Sequence, residues 1–228
     1  MLDNVIIIPY RNRKPHWEYF LENSVPLIEK HLPNSKVVVV EQTEGNLFNR
    51  GAILNVAFSE FKSKTKYYIT NDVDINPTQK CIEEYFAPEV PDNKVRGIYT
   101  SECNTLGGII KISDEIIHQI NGFPNNIWGW GTEDKALQNR AEYYNIEKIT
   151  SMTDTNEHTE YILRFDDIYD KEKTNMPRNT FLHYRVFPTL TDEQKLAVIQ
   201  QSGLMNIQYT ILEREQVHPI VEWIKVEL

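Results

Sequence analysis

Short runs of β-branched apolar residues recur along the chain, each followed by a stretch with helical spacing. That alternation restricts the fold to a largely parallel sheet covered by helices. The first run, Val5-Ile6-Ile7-Ile8, reads as a buried strand stopped by Pro9. Residues 15–31 then place Trp17, Phe20, Leu21, Leu27 and Ile28 on one helical face. A second strand falls at 37–40, a helix through Ile53, Leu54, Ala57, Phe58 and Phe61 at 48–61, and a third strand at 67–70. Runs at 95–100 and 108–112 flank the turn Thr105-Leu106-Gly107-Gly108, and Ser113 reads as the N-cap of a short helix ended by Gly122. Residues 133–144 and 191–201 form further helices, the latter with Asp192 and Glu193 in its first turn. Residues 180–184 read as a strand leading toward that last helix, and 208–212 and 221–226 as closing strands. Between them, 151–178 is polar and without period, so a long surface loop is expected there. With no repeat and no linker, the expectation is one α/β domain over 1–228, with 151–179 a loop or insertion.

Composition narrows the partners. The 24 Lys and Arg against 33 Asp and Glu give a net charge of −9. Such a balance argues against nucleic acid held through its phosphates, while leaving room for a small basic pocket. Cys81 and Cys103 are too few for a disulfide framework and are expected to be free thiols. No apolar run approaches a membrane span, and the N-terminus lacks the layout of a secretory signal. A cytoplasmic enzyme, or the catalytic part of a luminal one, is therefore expected.

Three motifs carry chemistry. Asp72-Val73-Asp74 follows the third strand, and the carboxyl ends of strands in an open α/β sheet are where ligands bind. Carboxylates there suit a hard divalent cation that bridges to substrate phosphates. The first strand delivers Pro9-Tyr10-Arg11-Asn12-Arg13, and a second arginine opens a helix in Phe48-Asn49-Arg50-Gly51, so that a local anion pocket forms in an acidic chain. Tyr10 is placed to cover a base or ribose. Finally, Trp128-Gly129-Trp130-Gly131 precedes Glu133-Asp134. Alternating glycine and tryptophan make a poor core but a mobile loop able to lay an indole on a sugar. The acids that follow either complement the helix dipole or hold a substrate hydroxyl as general base.

Taken together, IIIPYRNR, FNRGAILNVAF, NDVDINP, LGGIIKIS, INGFPNNIWGWGTED and GLMNIQYTIL resemble the catalytic domain of the β-1,4-galactosyltransferases, glycosyltransferase family 7. The matches run in order over nearly the whole chain. This resemblance implies a GT-A type, Rossmann-like α/β/α sandwich with a mixed, mostly parallel sheet. It implies an inverting, manganese-dependent enzyme that moves galactose or N-acetylgalactosamine from a UDP-sugar to a saccharide or glycoconjugate hydroxyl in β linkage. Pro9, Tyr10, Arg11, Arg13, Phe48 and Arg50 would line the uridine diphosphate site, with Asp72 and Val73 near the ribose and donor. Gly107 and Gly108 would give room beside the donor sugar, and Trp130 would close over it. Asp134 would be the base, Glu133 would bind hydroxyls, and Asp74 would ligate the metal. For the second protein ligand the candidates are His183, in a strand-like context, and His158, in a polar one, and the first is favoured. Two departures bear on substrates. Lys135 stands where the resembling enzymes continue the acidic run that holds an acceptor acetamido group, so N-acetylglucosamine is not implied as acceptor. Thr105 stands where the vertebrate enzymes place a tyrosine beside the donor C2 group, leaving space for an N-acetyl substituent. The rivals are a carbohydrate- or nucleotide-binding protein of the same fold without turnover, and a nucleotidyltransferase, which would leave WGWG unexplained.

Overall fold

The computed structural model describes residues 1–100, 105–129, 131–153, 158–164, 178 and 180–228. Its central sheet has eight strands in the order β7-β5-β6-β3-β1-β2-β10-β9. These are β1 (Leu2–Tyr10), β2 (Ser35–Gln42), β3 (Thr65–Thr70), β5 (Lys94–Thr100), β6 (Ile109–Ser113), β7 (Glu147–Thr153), β9 (Thr210–His218) and β10 (Val221–Glu227). β4 (Ile75–Pro77) pairs antiparallel with β8 (Ile162–Arg164) in a small separate ribbon. The sheet is mixed: β1 runs parallel to β2 and β3, β2 to β10, and β5 to β7, while β6 and β9 pair antiparallel with their neighbours.

Alternation along β1 sorts the core into two layers. Val5 and Ile7 join Val38, Val40, Ile110 and Ile224 against α3 (Arg50–Glu60), α5 (Asp114–Gln119) and α6 (Glu133–Tyr143). Ile6, Ile8 and Tyr10 join Val37, Val39 and Ile69 against α1 (Lys14–Asn23), α2 (Val25–His31) and the short α4 (Gln79–Cys81). Successive side chains of a strand point to opposite faces, so a run of unbroken isoleucine and valine requires apolar cover on both sides. The result is the expected α/β/α sandwich. β2 lies on one flank of β1 and β3 on the other, so the strand order reverses at β1 and a crevice opens between the carboxyl ends of β1 and β3.

Several elements differ from the sequence expectation. β1 continues through Pro9 because the β3 pairing ends at Ile7: Pro9 faces the same side as Ile7, so its missing N–H falls on the β3 side where the ladder has stopped, while pairing with β2 goes on. The 15–31 helix is two helices joined at Ser24, since Pro26 in the first turn of α2 cannot donate into α1. Residues 151–178 include the end of β7 and the three-residue β8, the latter too short to show a period. The expected strand at 180–184 is instead a π-helical turn, Phe181–Val186, docked on α6. A short apolar run does not distinguish the two by itself. β9 extends to His218 as an edge strand whose exposed charges discourage further pairing. The helix at 191–201 is α7 (Asp192–Gln201), started by a capping box between Thr191 and Gln194. Cys81 is a buried free thiol, pushed up to about 12 by burial, and Cys103 lies outside the described residues.

Arg140, on the inner face of α6, is 4% exposed and has no carboxylate partner among the described residues. Its guanidinium donates to the carbonyls of Asn121 (2.7 Å), Gly122 (2.8 Å) and Ser202, and so ties α6 to the ends of α5 and α7. Gly122 adopts φ 58°, and a Cβ there would meet Asn55 Oδ1 at 2.3 Å. Replacing Arg140 by methionine leaves the Gly122 and Ser202 carbonyls without this donor, Asn121 O keeping the Leu204 N–H, so a loss of roughly 3 kcal/mol is expected in urea unfolding.

Candidate active site

The centre of the crevice is Arg50, the first residue of α3. Its position is set by Asn49, whose side chain accepts from Ala52 N at 3.0 Å and donates to Asn125 O at 2.7 Å, and whose own N–H donates to Gln42 Oε1 at 2.7 Å. From there Arg50 Nε donates to Asp72 Oδ1 at 2.7 Å, and Nη1 to Asp134 Oδ1 at 2.9 Å, with Glu133 Oε1 3.6 Å from the same nitrogen. Three carboxylates from two parts of the chain thus share one guanidinium. Burial opposes the charge on Arg50, but Asp72, Asp134 and Glu133 together raise its pKa above the ordinary value. Its Nη2 is buried without a partner.

Asp72 sits in a tight turn. Asn71 N–H continues the sheet by donating to Ile7 O, while its side chain donates to the carbonyls of Asp72 and Ile75. Val73, expected near the ribose, is instead buried in the core layer of Ile6 and Ile8, and Asp74 is half-buried. Glu133 and Asp134 open α6, whose N-cap, Thr132, has φ 77° and no side-chain capping bond. A β-branched residue in the left-handed region is strained, and such strain persists where the surroundings impose it. Burial pushes Glu133 up to about 8, with help from Asp134 and against Arg50, and one of its oxygens has no partner. Asp134 is also raised, by burial and by Asp72, with Arg50 pulling the other way.

The loop at 105–108 closes this side. Leu106 N–H donates to Asp134 O at 3.2 Å, and a Cβ on Gly107 would lie 1.9 Å from Asp134 Oδ2. Gly107 therefore makes room for the Asp134 carboxylate. A Cβ on Gly108 would meet Tyr99 O at 2.4 Å, so its room is taken by the β5 backbone and not by a donor sugar.

Among the remaining expected residues, Arg11 donates to Asn46 O at 2.6 Å and lies 5.2 Å from the Phe48 ring centre. Arg13 is half-buried at the start of α1, and Pro9 is buried in β1. Tyr10 is 8% exposed and packs edge-on against Trp223 at 4.8 Å, so its ring belongs to the core and does not lie open to a base. Arg50, expected on the diphosphate, has two of its donors committed to carboxylates. Trp130 lies outside the described residues; Gly129 N–H, beside it, donates to Phe48 O at 2.5 Å. No role is expected from sequence for Asn49, Asn71, Gln42 or Asn125, although Asn71, Asn49 and Asn125 lie inside NDVD, FNR and INGFPNNIWGWGTED; Gln42 carries no signal.

For a metal, Asp74 is the expected carboxylate: it is half-buried in the turn after β3, while its neighbour Asp72 is held by Arg50. Among the described residues no three His, Cys, Asp or Glu side chains form a ready metal cluster. His183 is buried with Nδ1 unpartnered, and burial, then Arg140 and Lys135, bring it down to about 4, so the imidazole is neutral as a ligand must be. His158 lies before β8, at the end of the β4–β8 ribbon away from Asp74, because Ile75 pairs with Arg164 and Pro77 with Ile162. One carboxylate and one neutral imidazole fit a divalent cation whose other ligands are phosphate oxygens.

Two family models match this chain: the N-terminal region of glycosyl transferase group 7 over residues 2–83, and the N-terminal domain of galactosyltransferase over 94–171. The chain belongs to glycosyltransferase family 7. Human β-1,4-galactosyltransferase 4 is 32% identical over 92% of this chain, which spans 59% of that relative's length. The catalytic domain of Drosophila β1,4-galactosyltransferase 7, solved with xylobiose, superposes with a TM-score of 0.73 at 18% identity, covering 100% of this chain and 94% of that one. A mutant of the same Drosophila enzyme, solved with manganese, UDP-Gal and xylobiose, gives 0.69 at 18% identity over the same shares. These likenesses confirm the GT-A type fold expected from the motifs.

Glu133 generates a pH effect on stability. Between its ordinary value of 4.5 and about 8, the folded state holds a proton that the unfolded state has released, so stability falls as pH rises across that window. Glu133→Gln should make the decline shallower and be the more stable protein at pH 8, measured by urea unfolding from pH 5 to 8.

Proposed function

We propose that this protein is a manganese-dependent inverting glycosyltransferase that moves galactose, or N-acetylgalactosamine, from its UDP conjugate to a saccharide hydroxyl. The observation that carries the reading is the Asp134 carboxylate, seated on Gly107 and gripped by Arg50 at the carboxyl ends of the strands. Among the described residues no side chain in this crevice has the setting of an activated nucleophile, and none is needed for a single displacement. Asp134 is the base. Burial and Asp72 raise its proton affinity, which brings a carboxylate nearer to the pH at which it must accept the hydroxyl proton. Arg50 limits that rise and fixes the direction from which Asp134 approaches the acceptor.

The nucleotide belongs on the β1–β3 half. Arg11, steadied on Phe48, and Arg13 leave the end of β1 in position to bind phosphate oxygens. Held by Asp74 with His183 as the second protein ligand, manganese would supply the charge that neutralises the departing diphosphate. Glu133, carrying its proton into the neutral range, donates a hydrogen bond to a sugar oxygen. Galactose as donor is supported by the family and by the UDP-Gal complex of the Drosophila relative. N-Acetylgalactosamine is kept because Thr105 is small for its place beside the glycine pair.

Two substitutions separate the roles. Asp134→Asn should retain UDP binding with manganese and lose transfer by about 10²- to 10⁴-fold. Asp74→Asn should weaken the manganese-dependent part of UDP binding. UDP release from UDP-galactose and UDP-N-acetylgalactosamine, with and without manganese, reads both, and an Asp134→Asn enzyme with unchanged turnover removes Asp134 as base.

A further inference from the structure

Positive charge collects on the side of Asp134 away from the nucleotide half of the sheet. α6 carries Lys135 directly after Asp134, and its ammonium lies 5.7 Å from the ring centre of Tyr184. β7, separated from β3 by β5 and β6, supplies Lys148, whose Nζ donates 2.7 Å to the Thr105 carbonyl. That carbonyl belongs to the loop seated on Asp134 through Leu106 N–H and Gly107. Lys148 is therefore one loop residue removed from the base. The two ammonium groups oppose each other: burial and then Lys135 lower the Lys148 pKa, while Asp134 and Glu142 hold it up.

Neither lysine makes an ion pair with a carboxylate among the described residues; Lys135 has an aromatic ring and Lys148 a carbonyl. Asp134 attracts Lys148 from a distance, but its carboxylate is hydrogen-bonded to Arg50 and is in contact with neither lysine. Glu142 is occupied by Gln138, and Arg140, further along α6, adds another cation satisfied by carbonyls. In a chain with 33 acidic and 24 basic residues, Lys135 and Lys148 stand near the base with no carboxylate in ion-pair contact among the described residues. An ammonium keeps three donors, and an aromatic ring or a single carbonyl leaves most of them for another acceptor. The nucleotide does not account for them, since its phosphates belong with Arg11 and Arg13 at the end of β1.

We propose that the acceptor is an anionic saccharide, its carboxylate, sulfate or phosphate received by Lys135, with Lys148 contributing a second positive charge. This inference rests on the transferase reading above. The three anions share one chemistry, an oxyanion beside the hydroxyl that Asp134 deprotonates, and Lys135 distinguishes them from a neutral sugar by a charge-assisted hydrogen bond.

The test is calorimetric binding of glucuronate, glucose 6-sulfate, glucose 6-phosphate and glucose to the protein saturated with UDP and manganese. At least one anionic sugar should bind about tenfold or more tightly than glucose, and which one does so identifies the anion. The preference should shrink in Lys135→Gln and reverse or vanish in Lys135→Glu. Equal or weaker binding of all three anions relative to glucose overturns the proposal, as does a preference that survives both variants. UDP and manganese binding, measured first on the same sample, separates the two levels. Its absence overturns the transferase reading and this inference with it, whereas its presence without an anion preference overturns this inference alone.

Discussion

One guanidinium with three carboxylates around it is the interaction on which the site depends. Asp72 arrives from the end of β3, and Glu133 and Asp134 from the first turn of α6. Without Arg50 these acids would repel one another in a partly buried crevice, and the first turn of α6 would have no reason to stand so close to β3. Removing one partner of such a buried set leaves uncompensated charge, which costs more than the pair itself contributes. The nearness also explains the raised proton affinities of Glu133 and Asp134: one positive charge does not satisfy three negative ones out of water.

The surrounding structure is arranged to hold that meeting point. Asn55, buried in α3, donates to Phe123 O and to Asn125 Oδ1 at 2.7 Å and accepts from Phe123 N–H at 2.9 Å. Asn125 in turn donates to Gly203 O and accepts, through its carbonyl, from Asn49. This chain of amides fixes the root of the loop that leads to Glu133, so the strain at Thr132 is sustained by its neighbours. Arg140 performs a similar service from the other side of α6 by gathering carbonyls from the ends of α5 and α7. Gly107 completes the enclosure through the absence of a side chain.

Much of this was legible in the sequence, for identifiable reasons. The apolar runs at 5–8 and 37–40 allow little other than doubly covered strands, and both layers of the core follow from their alternation. Asp72, Glu133, Asp134, Arg50 and Gly107 were singled out, but not their mutual arrangement. Arg50 was expected on phosphate, and Tyr10 on a base, because a sequence motif marks which residues gather and not which atoms are already committed. Trp223, which takes up the Tyr10 ring, is distant in sequence and carries no local signal. Lys148 was likewise invisible: a lysine at the edge of a polar stretch gives no hint that its ammonium will cross to the Thr105 carbonyl. A short apolar run such as 180–184 fits strand and helix alike, and it is the docking on α6 that makes it the π-helical turn Phe181–Val186.

The most direct measurement of the central claim is the pH dependence of sugar transfer in Arg50→Lys beside the parent enzyme. A lysine ammonium keeps the charge but does not span Asp72 and Asp134 in the fixed fork of a guanidinium. If Arg50 organises the base, the acid limb of the rate profile moves to higher pH in the variant as Asp134 loses its hydrogen-bonded partner. An acid limb at the same pH, with only the affinity for UDP reduced, would show that Arg50 serves the nucleotide and that the carboxylates are arranged by something else.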